Sequence, residues 1–405
     1  MNQTHVFIRR LTLRNYKSIA ACQLSLGRLM FLVGPNGSGK SNCLDSLRLV
    51  AESLRTSLDH ALRDRGTIKE VRRRSGGHSN HFSVRLDFTL RNNATGRYSF
   101  QVAAKESGGF EVQTEECSVV DFASGLGEHF YLVERGHVVK SSLPLAPAAF
   151  PDRLYLVTAS GLPQFRPLYD ALSGMEVYNL NPKEMGAMQK PDAGELLRRD
   201  GSNAASVFQK LPDESKTRVN SYLARIVKGV ADVETQTLGS QETVEFRQAV
   251  KGQKHPWRFL AASMSDGTLR GFGILLALFQ NAVGRPGAPM LIGLEEPEMA
   301  LHPAASAILL AALREASAAT QILVTSHSPD LLDDSSIPTE ALLAVDDADG
   351  VTQIAPIDAA GRSVLKEKLF TPGELLRQNQ FAPDPVAIKA LEDDRQFKLF
   401  ELNGR

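Results

Sequence analysis

Neither sign of charge dominates this chain: 46 lysines and arginines face 46 aspartates and glutamates. A net charge of zero removes any global case for a nucleic-acid partner, so such binding needs a local patch. Cysteine is scarce and odd in number, with Cys22, Cys43 and Cys117 scattered along the chain. Three such residues do not make a disulfide framework; they suit reduced thiols and a cytoplasmic location, and Cys43 reads as a small packing residue. No apolar run approaches the ~18 residues that a membrane span needs. The best of them, Ala304 to Leu313, reads as a buried helix, so no membrane partner is expected. The start, Met1 to His5, lacks the apolar core of a signal peptide. Internal repeats, low-complexity tracts and heptads long enough for a coiled coil are missing too. What remains is a globular composition, 42% hydrophobic and 23% charged over 405 residues, long enough for two lobes or a core with insertions.

One segment carries chemistry by itself. The apolar run Leu29 to Val33 leads into Gly34-Pro35-Asn36-Gly37-Ser38-Gly39-Lys40-Ser41-Asn42, and Leu44, Leu47, Ala51 and Leu54 then recur at helical spacing. Strand, glycine loop and helix is the context a P-loop requires. Glycines let successive backbone N–H groups turn toward a phosphate, and the helix start adds its positive dipole end. Lys40 supplies a point charge for the β and γ phosphates, and the Ser41 hydroxyl a ligand for Mg²⁺. The chain is therefore expected to bind a nucleoside triphosphate.

Around this loop the pattern is mixed. Val6 to Leu13 and Cys22 to Leu26 read as a hairpin, and Phe82 to Val139 as a β-rich stretch with period-two alternation. Arg153 to Thr158 reads as one more strand, Leu162 to Gly229 as helical, and Val244 to Val250 as strand again. An α/β block follows: a helix from Thr268 to Gln280, a strand from Met290 to Leu294, a helix from Pro303 to Ala316 and a strand from Gln321 to Thr325. The fold class is thus α/β, a P-loop NTPase with an antiparallel β subdomain and an inserted helical lobe. The expected organisation is residues 1–160 for the first part of the core, 161–250 for the helical lobe and return strands, 251–345 for the second part of the core, and 346–405 for a tail.

Three further segments fall into line with the P-loop. The strand ending at Leu294 delivers Glu295-Glu296-Pro297-Glu298, the Walker B arrangement. There Glu295 serves the Mg²⁺ shell and Glu296 polarises the attacking water as general base. Alone, this run would read as a solvated turn. The strand Gln321 to Thr325 ends in Ser326-His327-Ser328-Pro329, where a histidine can reach a γ-phosphate. Ser265-Asp266-Gly267 opens the helix at Thr268, a second anion site by the same helix-terminus physics. One P-loop already serves one nucleotide, so Ser265 and Gly267 point to the nucleotide of another subunit.

In this order the motifs resemble the ABC-type ATPase heads of the SMC, RecF and OLD-nuclease group. Asn15-Tyr16-Lys17-Ser18, Ser263 to Arg270, Glu295 to Pro303 and Thr325 to Pro329 are similar to bacterial AAA-family ATPases of RecF-like or SMC-like type. Tyr178 to Pro182 and Asp200 to Asn203 extend the likeness into the helical part. The resemblance implies ATP and Mg²⁺ as cofactors and a head-to-tail homodimer, or a higher oligomer, with ATP at the interface. It implies that Ser265 and Gly267 act in trans, that Lys17 lies near the phosphates of its own subunit, and that Met299 to Pro303 crosses the interface. Departures accompany it. Glu295 stands where the wider group has Asp, which points to a water-mediated metal shell. The nearest Q-loop candidate is Gln164. The coiled-coil arms of SMC proteins are replaced by a compact lobe, and the stretch after His327 is too short for a Toprim nuclease domain, with Asp346 to Gly350 reading as a turn.

Three functions compete at this stage. The first is an ATP-gated dimeric switch in DNA-related defence or repair, read by a separate effector such as a nuclease or Toprim-like protein. The second is a RecF-like clamp that binds DNA directly through Arg63, Arg65, Lys69, Arg72, Arg73 and Arg74. The third is the nucleotide-binding subunit of a transporter, against which the RecF-like start and the Leu301-His302-Pro303 run argue.

Overall fold

A computed structural model describes residues 6–74, 80–122, 125, 127–280, 287–392 and 399–402. The chain divides into two compact units: residues 1–175, 338–369 and 378–405 form the first, and 176–337 with 370–377 the second. The strands in chain order are β1 Ile8–Tyr16, β2 Ile19–Ser25, β3 Leu29–Val33, β4 His81–Thr89, β5 Thr95–Ala104 and β6 Phe110–Asp121. Next come β7 Gly127–Glu134, β8 His137–Ser141, β9 Glu176–Tyr178, β10 Val230–Leu238, β11 Gln241–Gln248 and β12 Trp257–Leu260. The last four are β13 Leu291–Glu295, β14 Gln321–Ser326, β15 Leu342–Ala348 and β16 Val351–Pro356.

In the first unit the strands run β8-β7-β6-β5-β4-β1-β2-β16-β15-β3. The stretch from β8 to β2 is antiparallel throughout, and it contains the β subdomain that the alternation of apolar residues predicts. β16 joins β2 and β15 joins β3 in parallel, so a C-terminal hairpin sits between the first hairpin and the P-loop strand. Alternation places Leu11 and Leu13, Val84 and Leu86, and Tyr98 and Phe100 in the core, each at most 1% exposed. The P-loop helix, Lys40–Arg55, buries Leu44, Leu47, Ala51 and Leu54, the face predicted for it.

The second unit holds β14-β13-β9, all parallel, and a separate antiparallel sheet β10-β11-β12. Parallel strands buried on both faces read as unbroken apolar runs, as Leu291-Ile292-Gly293-Leu294 and Ile322-Leu323-Val324 do. The helix Ser306–Ala316 buries Leu309, Leu310 and Leu313, matching the buried helix expected over Ala304 to Leu313. Among the described residues, no helix is long and apolar enough to cross a membrane.

Three segment assignments need correction. Residues Arg153 to Thr158 are not a strand: Tyr155–Ala159 is a short helix whose first N–H groups are taken by the buried Glu115 carboxylate. A remote acceptor decides the conformation there, and the local pattern cannot show it. The hairpin connection is only Lys17-Ser18, because β1 continues through Asn15 and Tyr16. The region 162–229 is not purely helical. It contains β9, three residues that pair with β13 and are too few to carry a period. Of the Asp346 to Gly350 run read as a turn, only Asp349-Gly350 is one, closing the β15–β16 hairpin; Asp346 to Ala348 are the paired end of β15.

Candidate nucleotide site

The P-loop begins where the buried β3 ends and closes at the N-terminus of helix Lys40–Arg55. Gly37 and Gly39 take φ of +81° and +95°, a region that admits glycine at little steric cost. Gly39 is the N-cap of the helix, in the left-handed conformation and with no side-chain hydrogen bond to the first turn, and a Cβ on Gly37 would meet only open space. No side chain caps the helix start, and uncapped helix-start N–H groups are the donors that suit an anion. The Ser38 hydroxyl is buried without a hydrogen-bond partner. Ser41 and Asn36 are exposed. Lys40, 4% exposed, folds its ammonium back onto the carbonyls of Gly34 (3.0 Å) and Pro35 (2.9 Å), which pins the cation at the loop.

Lys17 stands in the β1–β2 turn at φ +49°, and its ammonium lies 2.6 Å from Asp45 on the P-loop helix. Asp45 is the centre of a charged cluster that sequence reasoning did not find. Tyr16 donates its hydroxyl to it at 2.8 Å, Arg65 reaches both carboxylate oxygens, and Arg48 approaches to 2.7 Å. Burial pushes the Asp45 carboxyl up, but Arg65, Lys17 and Arg48 outweigh it and hold the group well below the usual carboxylate range. Arg65, whose side chain is 3% exposed, is thus consumed inside the unit and does not belong to the basic surface expected from Arg63 to Arg74. Within that window Arg63 pairs with Asp59 and Arg74 with Glu70. Gln164 is half-buried, and its Oε1 is buried without a partner. Cys22, Cys43 and Cys117 are free and buried, and burial pushes all three thiols up, as packing residues should behave.

In the second unit, β13 and β14 run in parallel register, with Glu295 opposite Thr325. Register thus brings the two strand tips side by side. Glu296 takes φ +44°, a left-handed conformation that a glutamate adopts only when its surroundings impose it. They do so here: its N–H donates to Thr325 O at 3.0 Å, and its own carbonyl accepts from Met299 at 3.1 Å. The turn puts Glu296 Oε1 3.2 Å from Nδ1 of His327. Glu295 accepts from Arg199 at 3.2 Å. Glu298 faces inward instead: its Oε1 takes the Ser326 hydroxyl at 2.6 Å, and burial pushes its carboxyl up.

The signature helix, Asp266–Phe279, starts at Ser265, which is its N-cap; its Oγ accepts the Thr268 N–H at 3.3 Å. Ser265 and Asp266 are exposed. Gly267 lies against the Walker B turn so closely that a Cβ would sit 2.2 Å from the Ala300 carbonyl oxygen. Three residues on, Arg270 donates to the carbonyls of Glu295 (3.2 Å), Glu296 (3.3 Å) and Leu180 (3.3 Å). Arg270 therefore ties the signature helix to the carboxylate turn. The sequence showed it only as the last letter of a motif.

Each unit holds donor types of its own: the first a glycine-rich loop with a buried lysine, the second strand-end carboxylates beside a histidine. Residues 29–333 match the family model described as "AAA domain, putative AbiEii toxin, Type IV TA system", a span that holds P-loop, signature and both strand tips. Comparison with curated proteins finds no match. Among solved structures, an SMC head bound to the C-winged helix domain of ScpA is similar at TM-score 0.52 and 14% identity, over 88% of this chain and 99% of that one. An SMC head with an extended coiled coil, bound to the C-terminal domain of ScpA from Pyrococcus furiosus, reaches 0.54 at 11% identity, over 90% and 99%. At these identities the likeness is one of fold.

Proposed function

Because the chain belongs to this AAA-domain family and has the fold of SMC-type heads, we propose that it binds and hydrolyses ATP as a dimeric switch. Gly34 to Asn42 receive the phosphates and Lys40 neutralises them; Lys17 acts through the nearby turn. The observation that carries hydrolysis is Glu296, a carboxylate held at positive φ beside His327 at the end of an apolar strand. Such strain is retained where geometry matters for chemistry. Glu296 takes the proton of the attacking water, and His327 orients Glu296 and the phosphate end of the substrate. Ser41 and Glu295 are the residues that would hold Mg²⁺, which when bound neutralises charge developing on the transferred phosphoryl group.

In this reading Ser265 and Gly267 complete the site of a second copy, so that ATP becomes part of a two-fold interface and its hydrolysis reopens it. The exposed Ser265, Asp266 and Met299 support a surface role for that end of the signature helix. A separately encoded effector, nuclease or Toprim-like, would sense the closed state. The family's description names a type IV toxin–antitoxin setting, which favours defence over repair for this switch. The inward turn of Arg65 and the pairing of Arg63 and Arg74 speak against the DNA clamp.

The test is nucleotide binding and turnover in two variants. Lys40→Ala should lose ATP binding, whereas Glu296→Gln should bind as wild type and turn over at least 100-fold more slowly, within the range general-base catalysis contributes. Wild-type turnover by Glu296→Gln would remove the base from Glu296.

A further inference from the structure

A residue more than 300 positions after the P-loop is built into it. Thr352, at the start of β16 and 2% exposed, donates its hydroxyl to the Ser38 carbonyl at 2.8 Å. The same oxygen lies 2.7 Å from Ser18 Oγ, and Ser18 in turn accepts the Asn42 side-chain amide at 2.7 Å. Since the Thr352 proton is committed to Ser38, Ser18 must donate to Thr352, and its lone pair is left for Asn42. The result is a one-way chain of donors: Asn42 to Ser18 to Thr352 to the Ser38 carbonyl. It begins on the first turn of the P-loop helix and ends inside the P-loop, closing a ring through the β1–β2 turn and β16. Backbone pairing holds the middle of the ring, because the Thr352 N–H donates to Ser18 O at 3.0 Å and Thr352 pairs with Ile19.

Steric contacts place the C-terminal hairpin against both ends of the loop. A Cβ on Gly39 would come within 2.0 Å of Thr352 Oγ1, and one on Gly34 within 1.9 Å of the Val345 carbonyl oxygen. Only glycine lets the loop approach the hairpin this closely. The direction in which the Ser38 peptide faces therefore follows from its contact with Thr352. A flipped peptide would reverse the Gly39 N–H, which in a trans peptide points opposite to the Ser38 carbonyl.

We propose that Thr352 is a positioning residue for nucleotide binding: through the Asn42–Ser18–Thr352–Ser38 chain it sets the P-loop curvature that receives the phosphates. The inference rests on the ATP reading above and adds a residue outside the span matched by the family model, residues 29–333. A preorganised loop avoids ordering on binding, so its loss appears in affinity rather than in the chemical step.

The experiment compares Thr352→Val, which keeps shape and removes the hydroxyl, with Thr352→Ser, which keeps the hydroxyl. Ser18→Ala breaks the chain one link earlier without touching the packing at Gly39. ATP affinity is measured by calorimetry, KM and kcat by steady-state turnover, and folding by thermal melts. Thr352→Val should raise Kd and KM about tenfold with kcat within about twofold, Ser18→Ala should raise both in the same sense, and Thr352→Ser should restore wild-type values. If Thr352→Val and Ser18→Ala bind ATP within twofold of a wild type that does bind it, the positioning role is refuted and the ATP reading stands. Wild-type protein that binds no ATP would overturn both.

Discussion

Glu115 sets up a contest between burial and hydrogen bonding that a pH series can decide. Its carboxylate, fully buried on β6, accepts from the hydroxyls of Tyr131 (2.8 Å) and Tyr98 (3.1 Å) and from the Leu156 N–H (2.8 Å), and also from the Tyr155 N–H. Burial disfavours the charge and the four donors favour it; burial wins, pushing the carboxyl from 4.5 up to about 7. Between those values the folded chain holds a proton that the unfolded chain has released. Stability therefore falls as pH rises from about 4.5 to about 7 and is level above that. At ~1.4 kcal/mol per pH unit the loss is roughly 3 kcal/mol. Glu115→Gln cannot titrate, so denaturant unfolding of both proteins across this range isolates the effect. The wild-type free energy minus that of the variant should drop by roughly 3 kcal/mol from pH 4.5 to 7.5. A difference that rises with pH would mean the donors outweigh burial and the carboxylate is charged in the fold.

Asp45→Asn should cost about 1.5–3 kcal/mol in chemical denaturation, because Arg65 would keep its burial and lose one of its two charged partners, Glu52 remaining at 2.6 Å. The Asp45 carboxyl sits below its ordinary range, so its contribution is fully present above about pH 4 and disappears only on stronger acidification. Gly267→Ala should lower the melting temperature, since its Cβ would meet the Ala300 carbonyl oxygen at 2.2 Å; an unchanged melt would mean the turn yields freely. Reversing Arg72, Arg73 and Arg74 to Glu should leave the salt dependence of any duplex binding unchanged, whereas a slope smaller by two to three would identify them as phosphate contacts.

The strand–glycine loop–helix after β3, both strand tips and the helix start at Ser265 are legible in the sequence because each lies at the end of a periodic element. The apolar runs at β3, β13 and β14 announced buried parallel strands, and the alternation from Phe82 onward announced the antiparallel subdomain. Other features depended on pairings far apart in sequence. Asp45 gathers Tyr16, Lys17 and Arg65 from two other segments, besides Arg48 one turn along its own helix, and no spacing rule connects those segments to it. Thr352 looks like any strand threonine until the C-terminal hairpin is placed beside β2. Arg65 counted as part of a basic window because a run of like charges does not reveal which member turns inward. The helix at Tyr155 was read as a strand for the same reason: its N-terminal acceptor, Glu115, lies 40 residues away.

The most direct measurement is sedimentation of Glu296→Gln, with and without ATP, beside the double variant Glu296→Gln with Ser265→Arg. If ATP joins two copies through the signature helix, the single variant should sediment as a closed dimer or larger assembly only when ATP is present. The double variant should bind ATP equally well, since binding needs only the P-loop side, and remain a monomer. A single variant saturated with ATP that stays monomeric would contradict the switch. So would a double variant that dimerises normally, because Ser265 would then have no role in trans.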